Sequence, residues 1–108
     1  MAYKISQGDQ RMVPFDIKLN GEILTPDDLT ELEICAAEGA FRKLLSSGEV
    51  AYDYDNSHWA FLLKQEETLA MEPGTYNVQA RPVWSDGTII MTSIGTIQVA
   101  DANSEEVI

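Results

Sequence analysis

The chain has 108 residues, 44% hydrophobic and 23% charged, the size and balance of one folded domain rather than of a disordered segment. Its formal charge of −11, from 18 acidic and 7 basic side chains, repels phosphate backbones and anionic bilayers, so neither nucleic acid nor membrane is an expected partner. That charge reads first as solubility and second as an electrostatic face for a basic partner subunit.

A single cysteine, Cys35, allows no internal disulfide and implies no oxidising compartment. MAYKISQGDQR holds no apolar run of signal-peptide length, and no stretch reaches the roughly 18–20 apolar residues of a membrane span. The expectation is synthesis and folding in a cytoplasm, as one domain over 1–108 with terminal arms at about 1–10 and 100–108.

Period-two alternation recurs along the chain and period 3.6 hardly occurs, which argues for an all-β fold. Phe15, Ile17 and Leu19 alternate with Asp16 and Lys18, and Asn20-Gly21 closes that strand as a turn. Leu32, Ile34 and Ala36 alternate with Glu31, Glu33 and Cys35, which places the cysteine away from the buried face. Phe41 to Leu45 reads as a short strand ending at Ser46-Ser47-Gly48. Val50, Tyr52 and Tyr54 follow on one face, then Trp59, Phe61 and Leu63. Gln65 to Leu69 breaks the alternation and suits a helical turn crossing between sheets.

Pro73-Gly74 opens the next strand, with Tyr76, Val78 and Ala80 facing one way and Asn77, Gln79 and Arg81 the other. Pro82 cannot donate to a ladder, so it marks an edge position or a bulge. Asp86-Gly87 is the strongest hairpin signal of the chain. Ile89, Met91, Ile97 and Val99 share one parity, with Gly95 a bulge or kink between them. About seven or eight strands at roughly ten-residue spacing fit an antiparallel β-sandwich. Gly74-Thr75-Tyr76-Asn77-Val78 resembles the tyrosine corner of immunoglobulin-like domains, in which the tyrosine hydroxyl ties back to the preceding turn.

Candidate chemistry is sparse. Asp53, Asp55 and Asn56 are the weak metal candidates, since oxygens two residues apart suit Ca²⁺, but they also suit the solvated end of a strand. The lone His58 lies opposite Trp59 and Phe61 in parity, with no glycine-flanked nucleophile to serve. Cys35 stands among glutamates that raise rather than lower a thiol pKa. No phosphate loop, nucleotide fingerprint or zinc spacing occurs, so the reading names no catalytic residue and no cofactor. Trp59 belongs to the core by its neighbours. Trp84, beside the Asp86-Gly87 turn, is expected to be exposed at the hairpin tip and is an interface candidate together with Asp86 and Gly87. The closing Val107-Ile108 is the second interface candidate, an apolar pair that a terminal arm could bury on a neighbour.

The order of segments carries one further signal. Gln65-Glu66-Glu67-Thr68, Val78-Gln79-Ala80-Arg81, Asp86-Gly87 and the ending Val107-Ile108 resemble a family of small phage tail and baseplate proteins. That family is related to the N-terminal domain of siphophage upper baseplate proteins. The resemblance implies an immunoglobulin-like sandwich and a non-enzymatic phage or prophage structural subunit, made in the host bacterial cytoplasm and carried in the virion tail. Its partners would be other tail or baseplate proteins, with homo-oligomerisation in the assembly. A carbohydrate-binding sandwich at a bacterial surface is the alternative, and it requires Trp59, Tyr52 or Tyr54 exposed in a row on one sheet face.

Overall fold

A strand that is apolar on one face needs a second layer to cover it, and here two sheets cover each other. The structure, a computed structural model, describes residues 2–19, 21–27, 29–36 and 39–101. The elements run β1 (Ala2–Ser6), β2 (Arg11–Phe15), β3 (Lys18–Leu19), β4 (Glu22–Ile23), β5 (Leu29–Ala36), β6 (Arg42–Leu44), β7 (Val50–Asp53) and β8 (His58–Leu63). They continue through α1 (Gln65–Ala70), β9 (Gly74–Trp84) and β10 (Thr92–Ala100). One sheet has the order β1-β10-β9-β5-β6 and the other β2-β8-β7, while β3 and β4 form a separate small hairpin. The two main sheets together hold the expected number of strands, in an immunoglobulin-like sandwich.

The faces follow the alternation. Leu32, Ile34, Val78, Ala80 and Ile97 from one sheet meet Val13, Phe15, Trp59, Phe61 and Leu63 from the other. The Phe15 to Leu19 segment keeps its predicted alternation but splits, so that Phe15 ends β2 and Leu19 sits in the β3–β4 hairpin. Residues 2–6, expected within a terminal arm, form β1, which pairs in parallel with β10 from Ala2↔Thr96 to Ser6↔Ala100. Asn20, Asp28, Val107 and Ile108 lie outside the described residues.

Pro82 illustrates how register tolerates a missing donor. Leu32, its partner across β5 and β9, gives its carbonyl to the Leu45 N–H on the β6 side. The Pro82 nitrogen therefore faces the β10 side, beyond the last β9–β10 pair Thr92↔Ala80, where no ladder bond is lost. Locally, a central strand has become an edge.

The expectation for Ile89 and Met91 is corrected. Both are exposed, at 57% and 52%, while Ile97 and Val99 are buried. Ser93 pairs with Gln79 and Gly95 with Val78, so an extra residue enters β10 between them. That bulge, with Gly95 at φ +139°, reverses the parity facing the core: Ile94 is buried before it and Ile97 after it.

Tyr76 closes the corner predicted for it, its hydroxyl donating to the Glu72 carbonyl at 2.6 Å. Because that bond lies near solvent, Tyr76→Phe should cost only about 0.5–1 kcal/mol in urea unfolding. A null effect in that measurement would show the corner to be geometric rather than energetic.

The Gln65 to Thr68 segment also acquires a structural account. Glu67 accepts from the Lys64 N–H at 2.9 Å, which starts α1. The fully buried Thr68 hydroxyl donates to the Asp9 carbonyl at 2.7 Å and accepts from the Gly8 N–H at 3.0 Å. The helix that joins β8 to β9 is thus pinned to the β1–β2 turn. Among the described residues no helix is long and apolar enough to cross a membrane.

Candidate functional site

Antiparallel pairing brings three connections to one end of the sandwich. Phe15 at the end of β2 pairs with Trp59 at the start of β8, and Asp53 at the end of β7 pairs with His58. Leu29 at the start of β5 pairs with Trp84 at the end of β9. The β3–β4 hairpin, the β7–β8 turn and the β9–β10 segment are therefore neighbours at that end.

The β9–β10 connection is a type I-like turn followed by a left-handed glycine. The Gly87 N–H donates to the Trp84 carbonyl at 3.0 Å, and the Trp84 N–H to the Thr88 carbonyl at 2.9 Å. Gly87 has φ +89°, a conformation that disfavours any side chain. Asp86 accepts from the Thr88 N–H at 2.9 Å, and hydrogen bonds from Thr88, first through its side chain and then its backbone, hold the carboxyl below its ordinary range. Beyond this turn only Val83↔Ile89 bridges the two chains, so Ile89, Ile90 and Met91 leave the sheet before β10 begins.

Of these, Ile90 lines a groove of about 460 Å³ between the β9–β10 segment and the β3–β4 hairpin. Leu19, Ile23, Leu24, Trp84 and Ile90 give it apolar walls, with Glu22 and Asp27 also lining it. Trp84, expected as an exposed hairpin tip, is instead half-buried and forms one wall, while Asp86 and Gly87 are exposed in the turn itself. Ile23, Ile89, Ile90 and Met91 were absent from the sequence-predicted surface. The unbroken run Ile89-Ile90-Met91 beside a turn is the signal that could have marked it, because a run without alternation cannot send every side chain to one core face.

A second cleft at the same end, of about 560 Å³, joins Phe15 and His58 to Ser93 and Ile94. His58 Nδ1 lies 3.3 Å from Asp16 Oδ1, but the side chains are 51% and 41% exposed, in high-dielectric surroundings where such a pair contributes little.

The weak metal candidates serve the β7–β8 turn. Asp53 Oδ1 accepts from the N–H groups of Asp55 and Asn56, and Oδ2 accepts from the Asn56 side-chain amide at 2.7 Å. The Asn56 side-chain bond is the main reason the Asp53 carboxyl is held below its ordinary value. No group of three or more metal-ligating side chains occurs among the described residues. Cys35 is half-buried on the outer face of its sheet. Burial pushes its thiol up, Glu33 adds to that, and Arg81 and Arg42 only partly oppose it.

Sequence reasoning also missed two charged groups that the packing buries. Glu33 pairs with Arg42 and, at 2.9 Å, with Arg81, forming a ladder across β6, β5 and β9. Lys43 pairs with Ile34 across β6 and β5 on the core side, and its ammonium reaches Glu67 at 2.5 Å and Glu49 at 3.5 Å. Its parity with Phe41 and Leu45 was the available signal.

No protein-family model matches the chain, and no curated protein matches it. Among solved structures it is similar to the crystal structure of CopC from Methylosinus trichosporium OB3b, with 15% identity and a TM-score of 0.43. That similarity covers 94% of this chain and 86% of that one. The expected assignment to a phage tail or baseplate is corrected: no family model and no curated protein carries it, and the solved structure named above is a CopC. The carbohydrate-binding alternative keeps only part of the aromatic row it requires. Trp59 is fully buried and Tyr52 is half-buried against it, their rings 5.1 Å apart, while Tyr54 is exposed and meets Tyr52 edge-on at 4.9 Å.

Proposed function

We propose that the chain is a non-catalytic recognition module that seats a partner protein in the groove between the β3–β4 hairpin and the β9–β10 segment. The carrying observation is that Ile23 and Ile90, on the two sides of that groove, are 49% and 43% exposed, with Ile89 and Met91 exposed next to Ile90 in the chain. Scattered single apolar residues on a surface need no explanation, but a group around a concave apolar wall is the mark of a contact surface. A half-buried tryptophan in the wall suits an anchor. Position supports the same reading by analogy of fold, since immunoglobulin-like domains carry recognition loops in the connections at one end of the sandwich.

Exposed side chains can be exchanged with little cost to folding, within about 0.5 kcal/mol. Ile90→Asp should therefore melt like the original chain while losing its partner. Immobilised wild-type protein, Ile90→Asp and the distant control Glu66→Ala would be compared for proteins captured from the native source. A partner retained by wild type and Glu66→Ala but lost by Ile90→Asp is the expected result. An identical captured set on all three would end this reading.

A further inference from the structure

Resting on that recognition surface, we infer that its occupant is a short protein segment with apolar side chains flanked by lysine or arginine. The walls of the groove ask for the apolar part, and its volume of about 460 Å³ admits a few side chains rather than a folded domain. The charges around it ask for the basic flanks. Asp16, Glu22, Asp27, Asp53, Asp55 and Asp86 are all exposed on the segments that meet at this end. Against them stand Lys18 and His58, and His58 already faces Asp16. Hydrogen bonds from Asn56 and Thr88 hold the Asp53 and Asp86 carboxyls below their ordinary range.

Glu22 and Asp27 line the groove itself and Asp86 stands beside Trp84 and Ile90, so their field acts at its mouth, with a reach of about 8 Å at physiological salt. An acidic rim around an apolar wall selects a partner by attracting cations at the edge and burying apolar atoms at the centre. The same field argues against a second copy of this chain. An isologous contact would set one acidic end against another, on molecules that each carry −11.

Trp84 supplies the readout, since it lines the groove while Trp59, the other tryptophan, is fully buried in the core. The full chain would be titrated with two synthetic peptides lacking tryptophan, Lys-Lys-Leu-Phe-Leu-Lys-Lys and Glu-Glu-Leu-Phe-Leu-Glu-Glu. The lysine peptide should shift the emission and bind at least about tenfold more tightly than the glutamate peptide. Its affinity should fall about fivefold or more between roughly 50 and 500 mM NaCl. Binding should be lost in the double variant Ile23→Ser, Ile90→Ser, which removes apolar wall without changing charge.

Equal binding of both peptides, lost in the double variant, would overturn the basic-flank inference and leave the groove reading standing. Lysine-peptide binding undiminished in the double variant would overturn the inference, because charge alone would then account for it. A lack of response to either peptide would also overturn it, and the capture experiment would separately judge the groove. Dimerisation in sedimentation that the double variant abolishes would name a second copy as occupant, against the inference.

Discussion

Trp59→Ala should lower the stability of the chain by about 3–5 kcal/mol. Trp59 is fully buried and sits where several interactions converge. Its ring stacks on Phe15 at 6.3 Å and meets Tyr52 edge-on at 5.1 Å. Its indole N–H donates to the Leu24 carbonyl at 2.9 Å, tying the β3–β4 side of the groove to the core. Alanine would open a cavity and leave that carbonyl without its donor, two costs that add. A domain of this size has about 5–15 kcal/mol of stability, so the loss is a large share of the total. Trp59→Phe keeps most of the volume and loses the donor, so it should cost less, about 1–2 kcal/mol. Urea unfolding followed by far-ultraviolet circular dichroism would measure both. A cost below about 1 kcal/mol for the alanine variant would show that the core collapses around the site.

Lys43→Ala should be the second most damaging change, at about 2–4 kcal/mol. The Lys43 side chain is 1% exposed and its ammonium lies 2.5 Å and 2.7 Å from the two oxygens of Glu67. Removing a buried charge strands its partner, yet Glu67 and Glu49 are 28% and 34% exposed and can recover water. The expected cost therefore sits below that of a wholly buried pair. Lys43→Met retains the packed stem without the charge, and should fall between the original chain and the alanine variant. If methionine and alanine cost the same, the stem contributes nothing and the ion pair carries the effect. If both cost less than about 0.5 kcal/mol, the contact behaves as a surface pair despite its burial.

Lys43 also shows where sequence reading stops. Its place in β6, opposite Ile34 and in step with Phe41, was open to inspection in the alternation. A lysine on a buried face is nevertheless expected to be an exception until a partner is known, and Glu67 is 24 residues away. Contact between them depends on how α1 crosses from one sheet to the other. Glu33 is similar: its burial beside Arg42 and Arg81 requires β6, β5 and β9 to lie side by side.

The proposed recognition surface divides in the same way. Trp84 was legible because a large aromatic beside a turn is conspicuous, although its half-buried state was not. The Ile89 and Met91 parity pointed inward, and the bulge at Gly95 turned them outward. A bulge can be suspected from a glycine, but its register comes from pairing with Gln79 and Val78 on another strand.

Local chemistry in the chain determined the all-β class, the faces of the long strands, the helical turn at Gln65, the Tyr76 corner and the hairpin at Asp86-Gly87. Each rests on forces acting within a few residues: side-chain alternation, backbone conformation and hydrogen bonds to near neighbours. Tertiary structure alone decided which strands pair, that β1 joins β10 in parallel, and that Lys43 reaches Glu67. It also decided that the β3–β4 hairpin faces Trp84 and Ile90 across a groove. Those outcomes depend on groups distant in sequence competing for one buried interior, a competition that no local pattern records.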